Sequence, residues 1–141
     1  MRARHTWFVS GTDFKIAKID EPERLVFGWA NVTIQSDGSP VVDSQRDIIL
    51  TEDLEAAAYD FVLEFRDTGV MHKGKAVGTL VESFVMTPEK IRLMGLAPDG
   101  QRVGWWVGFK VDLDVFKRVL AGELQMFSIQ GTADRVEPVY A

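Results

Sequence analysis

Two side chains in this sequence have the chemistry of a nucleophile and its base. His72 stands in Val70-Met71-His72-Lys73-Gly74, directly after an amphipathic helical stretch, and Ser128 stands in Met126-Phe127-Ser128-Ile129-Gln130-Gly131, inside an apolar, strand-like segment. The chain has two histidines, and the other, His5, lies in a basic N-terminal stub. Imidazole is the side chain whose ordinary pKa suits proton transfer near neutral pH. A serine hydroxyl is a weak nucleophile until such a base takes its proton. The two residues are far apart in sequence, so only a tertiary fold can join them. Each also has an ordinary structural reading. A serine between Phe127 and Ile129 commonly bonds a neighbouring backbone group, and a single histidine is often a satisfied core or surface residue. The nucleophile elbow of the α/β-hydrolases is excluded, because it needs glycine two residues before the serine and this chain has Met126 there.

Glu82 is an unusual carboxylate, because within 77–86 it alternates with Leu80, Phe84 and Met86. A carboxylate on an apolar face needs a partner, either a basic side chain or the ring N–H of His72. An edge-strand charge is the plainer alternative. Asp43 and Asp47 form a polar knot that reads as turn and cap chemistry. Adjacent strand residues point to opposite faces, so one of Trp105 and Trp106 is expected in the core and the other on the surface, where it could anchor a partner. One internal histidine and no cysteine do not make a usual zinc site. No Gly-x-Gly-x-x-Gly or P-loop is present, so no cofactor is expected.

The elements that must position these residues follow from patterning. Residues 12–19 alternate loosely and Leu25–Ile34 is rich in strand formers, ending at Asp37-Gly38, a turn signal before Val41-Val42 as hairpin partner. Thr51 is placed as an N-cap with Glu52 and Asp53 in the first turn. Leu54, Ala58, Phe61 and Phe65 then form one helical stripe, stopped by Thr68-Gly69. Val70–His72 and residues 77–86 read as strands, Thr87–Lys90 as a turn, and Ile91–Ala97 and Gly104–Val111 as further strands. Asp112 opens a second helix, with Leu113, Phe116, Val119 and Leu120 inward and Gly122 as its stop. A last strand over about 124–133 carries Ser128. Six to eight strands and two helices predict an α+β domain, mainly an antiparallel β-barrel with two flanking helices.

Length and composition agree with one domain over 1–141, its first ten residues flexible. Of the 141 residues, 46% are hydrophobic, including nine Phe and four Trp, which excludes disorder for most of the chain. A net charge of −5 without a basic run argues against a nucleic-acid partner. No apolar run approaches the roughly 18–20 residues of a membrane span, and the N-terminal stub is not a signal peptide. A soluble protein that stays where it is made is expected.

Several stretches together resemble the XkdF-type phage serine proteases. They are Val26–Val32, Val41–Ile49, Asp53–Phe61, His72, Gly78–Val85, Gly104–Phe109 and Phe127–Ile129, in order over about residues 25–133. That family is grouped with phage prohead proteases and, more distantly, herpesvirus assemblin. The resemblance implies a β-barrel wrapped by helices, Ser128 as nucleophile and His72 as base. It implies a virus- or prophage-encoded enzyme acting in the host cytoplasm within the assembling procapsid, with scaffold and major capsid proteins as substrates. Self-cleavage and a homo-oligomer are left open. Relatives read Ser-Ile-Gly-Gly where this chain has Gln130 before Gly131. The herpesvirus enzymes use a second histidine after the serine, and this chain has none. An acid must then orient His72: Glu82, with Asp134, Glu137 and Asp47 behind it. The chain stops soon after Ser128, which leaves a mature or truncated form open. The rival readings are a non-catalytic procapsid or virion binding module with the same barrel, and a small esterase.

Overall fold

The computed structural model describes residues 10–40, 50–65, 70–72 and 75–130, with side chains at 15–40, 50–64 and 75–125. Six strands and three helices follow in the order β1 (Ser10–Asp20), β2 (Leu25–Ile34), α1 (Thr51–Phe65), β3 (Val70–His72), β4 (Lys75–Met86), α2 (Pro88–Leu93), β5 (Val103–Val111), α3 (Leu113–Leu120) and β6 (Met126–Gln130). The chain is therefore α+β. Its main wall is a four-strand antiparallel sheet, β1-β2-β5-β4. The short strand β3 continues this wall from the first residues of β4, and β6 pairs with both β3 and β1. The pairing order β1-β2-β5-β4-β3-β6 thus returns to its start. The return is slight: β3 meets β6 through Val70↔Ile129 and Met71↔Ser128.

Strict alternation in β5 explains the core. Val103, Trp105, Val107, Phe109 and Val111 are all buried, while Trp106 and Lys110 face the other way. The same layer takes Val26 and Val85 from the neighbouring strands. From the helices it takes Leu54, Ala57, Ala58 and Phe61 of α1 and Val115, Phe116 and Val119 of α3. Phe61 stands edge-on to Trp105 with ring centroids 5.4 Å apart, locking α1 onto the sheet. Removing a fully buried tryptophan of this kind costs about 3–5 kcal/mol. The opposite face carries a shell of Phe27, Trp29 and Trp106. Trp106 stacks on Phe27 at 6.4 Å and meets Trp29 edge-on at 5.4 Å. Of the adjacent tryptophans, 105 is therefore the core residue and 106 the outer one, as alternation requires.

Two expectations are corrected at α2. Residues 87–90 are not a turn, and 91–97 are not a strand. Thr87 in an extended conformation accepts a hydrogen bond from Lys90 N through Oγ1 (3.1 Å), Pro88 supplies a preset first turn, and Glu89 sits at the positive helix end. Gly95 (φ 70°) then reverses the chain, with its N–H bonded to Arg92 O and that of Leu96 to Ile91 O. Among the described residues the helix count is therefore three, not two. The cap of α1 shifts by one: Leu50 O receives the N–H groups of Asp53 and Leu54, so Thr51 is already helical. In α3, Leu113 and Leu120 are about half exposed, not inward, because the buried stripe runs through 115, 116 and 119. The hairpin partner Val41-Val42, the Asp43–Asp47 knot, the Thr68-Gly69 stop and the N-terminal stub lie outside the described residues. No helix among the described residues is long and apolar enough to cross a membrane.

Lys90 fastens the three layers. Its Nζ meets Glu55 Oε2 at 3.0 Å and donates to the Tyr59 hydroxyl (3.0 Å) and to Val85 O (2.7 Å), so α1, β4 and α2 share one cation. Burial pushes the Lys90 amine down. The hydrogen bonds it donates to Tyr59 and Glu55, together with the Glu55 charge, outweigh that and leave it above the ordinary lysine value.

Candidate active site

The strands that carry the two sequence-derived residues meet at the seam between β3 and β6. His72 is the last residue of β3 and Ser128 the middle residue of β6. Met71 pairs directly with Ser128, so His72 is one position out of register with it. Backbones of paired antiparallel residues lie about 4.5–5.5 Å apart at Cα. On its other side Ser128 pairs with Asp13 of β1, and His72 pairs with Lys75 of β4. Among the described strands β3 and β6 are the shortest, of three and five residues. A ladder register is a tertiary property, so these strand neighbours could not be singled out from the sequence.

Register imposes a condition on the pair. Cross-strand partners share a face of a sheet and the next residue takes the other. Position 72 joins position 128 only where that alternation relaxes. The ladder of β3 on β4 already slips once, between Val70 and Met71, and His72 ends its strand.

Glu82 is not brought to His72. It lies seven positions beyond Lys75 on β4, a stretch of about 23 Å at 3.3 Å per residue. Its Oε1 accepts the indole N–H of Trp106 at 2.8 Å on the exposed outer face. The expectation that Glu82 shares a face with Leu80 is overturned by a bulge between them. Leu80 pairs with buried Phe109, whereas Glu82 pairs with Gly108, beneath the Phe27 ring. The reasoning that this carboxylate needs a partner holds, and the partner is a tryptophan N–H. Asp47, Asp134 and Glu137 lie outside the described residues.

A groove of about 590 Å³ opens between α1 and the far half of β4, lined by Tyr59, Val62, Leu63, Leu80, Val81, Glu82 and Ser83. It is largely apolar, and Ser83 Oγ already receives the Trp105 indole N–H at 2.8 Å. On β4 the groove takes residues from the middle of the strand, five positions and more beyond Lys75. Among the described residues no three His, Cys, Asp or Glu side chains gather as metal ligands.

Comparison with known proteins gives the chain its family. A family model described as "Putative phage serine protease XkdF" matches residues 13–137, and the chain belongs to that family. The Bacillus subtilis (strain 168) protein XkdF of the phage-like element PBSX is 27% identical over 126 residues, covering 83% of this chain and 40% of that protein. The B. subtilis (strain 168) protein YqbD, described as uncharacterized, is 27% identical over 123 residues, 86% of this chain and 35% of its own length. The chain thus spans well under half of these relatives. No solved structure matches it. Membership associates the chain with phage or prophage genomes and, at the level of the family's description, with serine proteases.

Proposed function

From membership of the XkdF family we infer that this chain is a serine endopeptidase whose nucleophile is Ser128 and whose base is His72. The Ser128 hydroxyl attacks the scissile carbonyl while His72 takes its proton, and the imidazolium then protonates the departing amine. Water, activated by the same imidazole, hydrolyses the acyl-enzyme and restores the serine. The observation that supports this reading is the β3–β6 ladder, in which the residue before His72 pairs with Ser128. The ring of strands is read as the barrel of the prohead proteases. The substrates are then segments of scaffold and capsid proteins inside an assembling procapsid, and the protease itself.

The test uses the full chain with the scaffold and capsid proteins of its phage, alongside a fluorophosphonate probe. The native chain cleaves, and the probe labels Ser128. Ser128→Ala and His72→Ala each remove both activities while keeping the native circular dichroism. Met71→His/His72→Met, which moves the imidazole one register step, is also inactive. Full processing by Ser128→Ala or His72→Ala overturns the assignment, and activity in the exchanged variant assigns the base to position 71.

A further inference from the structure

We propose that the free edge of β4 beside α1 is a peptide-docking site, which takes an extended segment of another protein, alternating apolar and basic side chains, as an added strand. Strand β4 pairs with β5 from Gly78 to Met86, but β3 covers its other edge only as far as Val70↔Gly78. Among the described residues no strand pairs with that edge from Thr79 onward. One contact gives the direction of its peptide groups. Val85 O accepts from Lys90 Nζ at 2.7 Å, so the polar groups of Val85 face away from β5. The register from Glu82 to Met86 is unbroken, and hydrogen-bonding direction alternates along an antiparallel pair, so those of Ser83 face the same way. Among the described residues no backbone group bonds them. Unpaired main-chain groups in a row are a template for a further strand.

The groove along this edge selects the kind of strand. Val62 and Leu63 of α1 and Val81 of β4 give it an apolar lining, and Leu63 is 81% exposed. Leu80 and Ser83 pair with Phe109 and Val107 on the α1 side of the sheet, while Glu82 and Phe84 pair with Gly108 and Trp106 on the outer face. A strand added in step with β4 therefore lays alternate side chains against α1, where apolar groups fit. The side chains between them fall beside Glu82, where opposite charge is favoured across strands. Glu82 is exposed, and its bond to Trp106 uses only Oε1. Helix α1 adds five acidic residues and no basic one. Those acids argue against a second copy of the chain, which would bring the same charges and its own α1 to the same edge. The edge is bounded by β3 at one end and, at the other, by Lys90 seated on Val85 O, so it holds a segment of about 20 Å. Ser83 lies eight positions beyond Lys75, the ladder partner of His72, or about 26 Å of strand. Docking here is thus independent of chemistry at Ser128.

The probe is a synthetic peptide of alternating valine and lysine, titrated into the full chain by calorimetry and by amide NMR with hydrogen exchange. The peptide binds, and the Ser83 amide, freely exchanging in the chain alone, becomes protected. A peptide of alternating valine and glutamate binds at least about tenfold more weakly, and Glu82→Lys reverses that order. Methylating the main-chain nitrogens of the valine–lysine peptide costs at least about tenfold. Leu63→Arg, at an exposed position, weakens the same peptide by about tenfold while the urea midpoint is unchanged. A Ser83 amide already protected in the chain alone means that the edge is covered from within, and overturns the proposal. So do the absence of binding, equal binding of the lysine and glutamate peptides, or undiminished binding of the methylated one. Self-association of the chain that the peptide competes away gives the edge to a second copy instead.

Discussion

Replacing Glu82 with glutamine separates a catalytic carboxylate from a structural one. The geometry gives the magnitude. About 23 Å of β4 separates Glu82 from Lys75, the residue opposite His72. Two unit charges at that separation in water interact by about 0.2 kcal/mol, and salt with a screening length of about 8 Å removes most of that. The effect on chemistry at His72 is therefore less than about twofold. The local effect is also small, because glutamine keeps a carbonyl oxygen for the Trp106 N–H. What is lost is the charge in an exposed 2.8 Å bond, worth about 1 kcal/mol or less. The assay pairs second-order rates of Ser128 labelling with urea denaturation followed by tryptophan fluorescence. Glu82→Gln is expected to label within about twofold of native, with a small drop in urea midpoint. An acid that orients a catalytic histidine behaves otherwise: its amide replacement costs about 10⁴ in turnover in the Ser-His-Asp proteases. A loss of 100-fold or more with an unchanged urea midpoint would refute the register argument and return Glu82 to the site.

Gly104→Ala is expected to destabilise the fold by about 3 kcal/mol, or roughly 10 °C in melting temperature by calorimetry. An added Cβ there meets the Asn31 carbonyl oxygen and lies 2.7 Å from Val32 Cα, both backbone of the paired strand; at Gly108 it meets the Phe27 ring, which can move, and the cost is smaller. Lys90→Met is expected to cost about 1–3 kcal/mol by urea denaturation, since Glu55, Tyr59 and Val85 O lose a shared cation. The folded-state pKa of Lys90 is raised, so its contribution is fully present below the unfolded value near 10.4 and is lost as pH climbs through the folded one. Native chain and variant therefore converge only above that range.

Much of the fold could be read from periodicity, because the strongest elements satisfy local and tertiary demands together. Leu25–Ile34 and Val70–His72 form the strands that composition indicates, and Leu54, Ala58 and Phe61 pack as the stripe their spacing predicts. The failures have separate causes. At α2 the cap signal Thr87-Pro88-Glu89 is present, but the helix is six residues long, too short for helical periodicity to show. At Glu82 the alternation rule was sound, and a bulge at position 81 reversed it without a mark in the sequence. Of the candidate site, the residue types of His72 and Ser128 were legible. Their strand neighbours were not, because Met71, Asp13 and Lys75 become neighbours only through ladder registers.

Those registers give the seam its logic. A serine in the middle of a long, fully paired strand is hard for a peptide to reach, since side chains on both flanking strands crowd its face. Here the flanking strand on one side is three residues long, and it ends at the proposed base. His72 is itself laddered, to Lys75 of β4, one position out of register with Ser128. The nucleophile is laddered on both sides, to Met71 and Asp13. On the proposed reading both residues therefore sit on paired backbone, Ser128 between two strand neighbours and His72 on the last residue of β3.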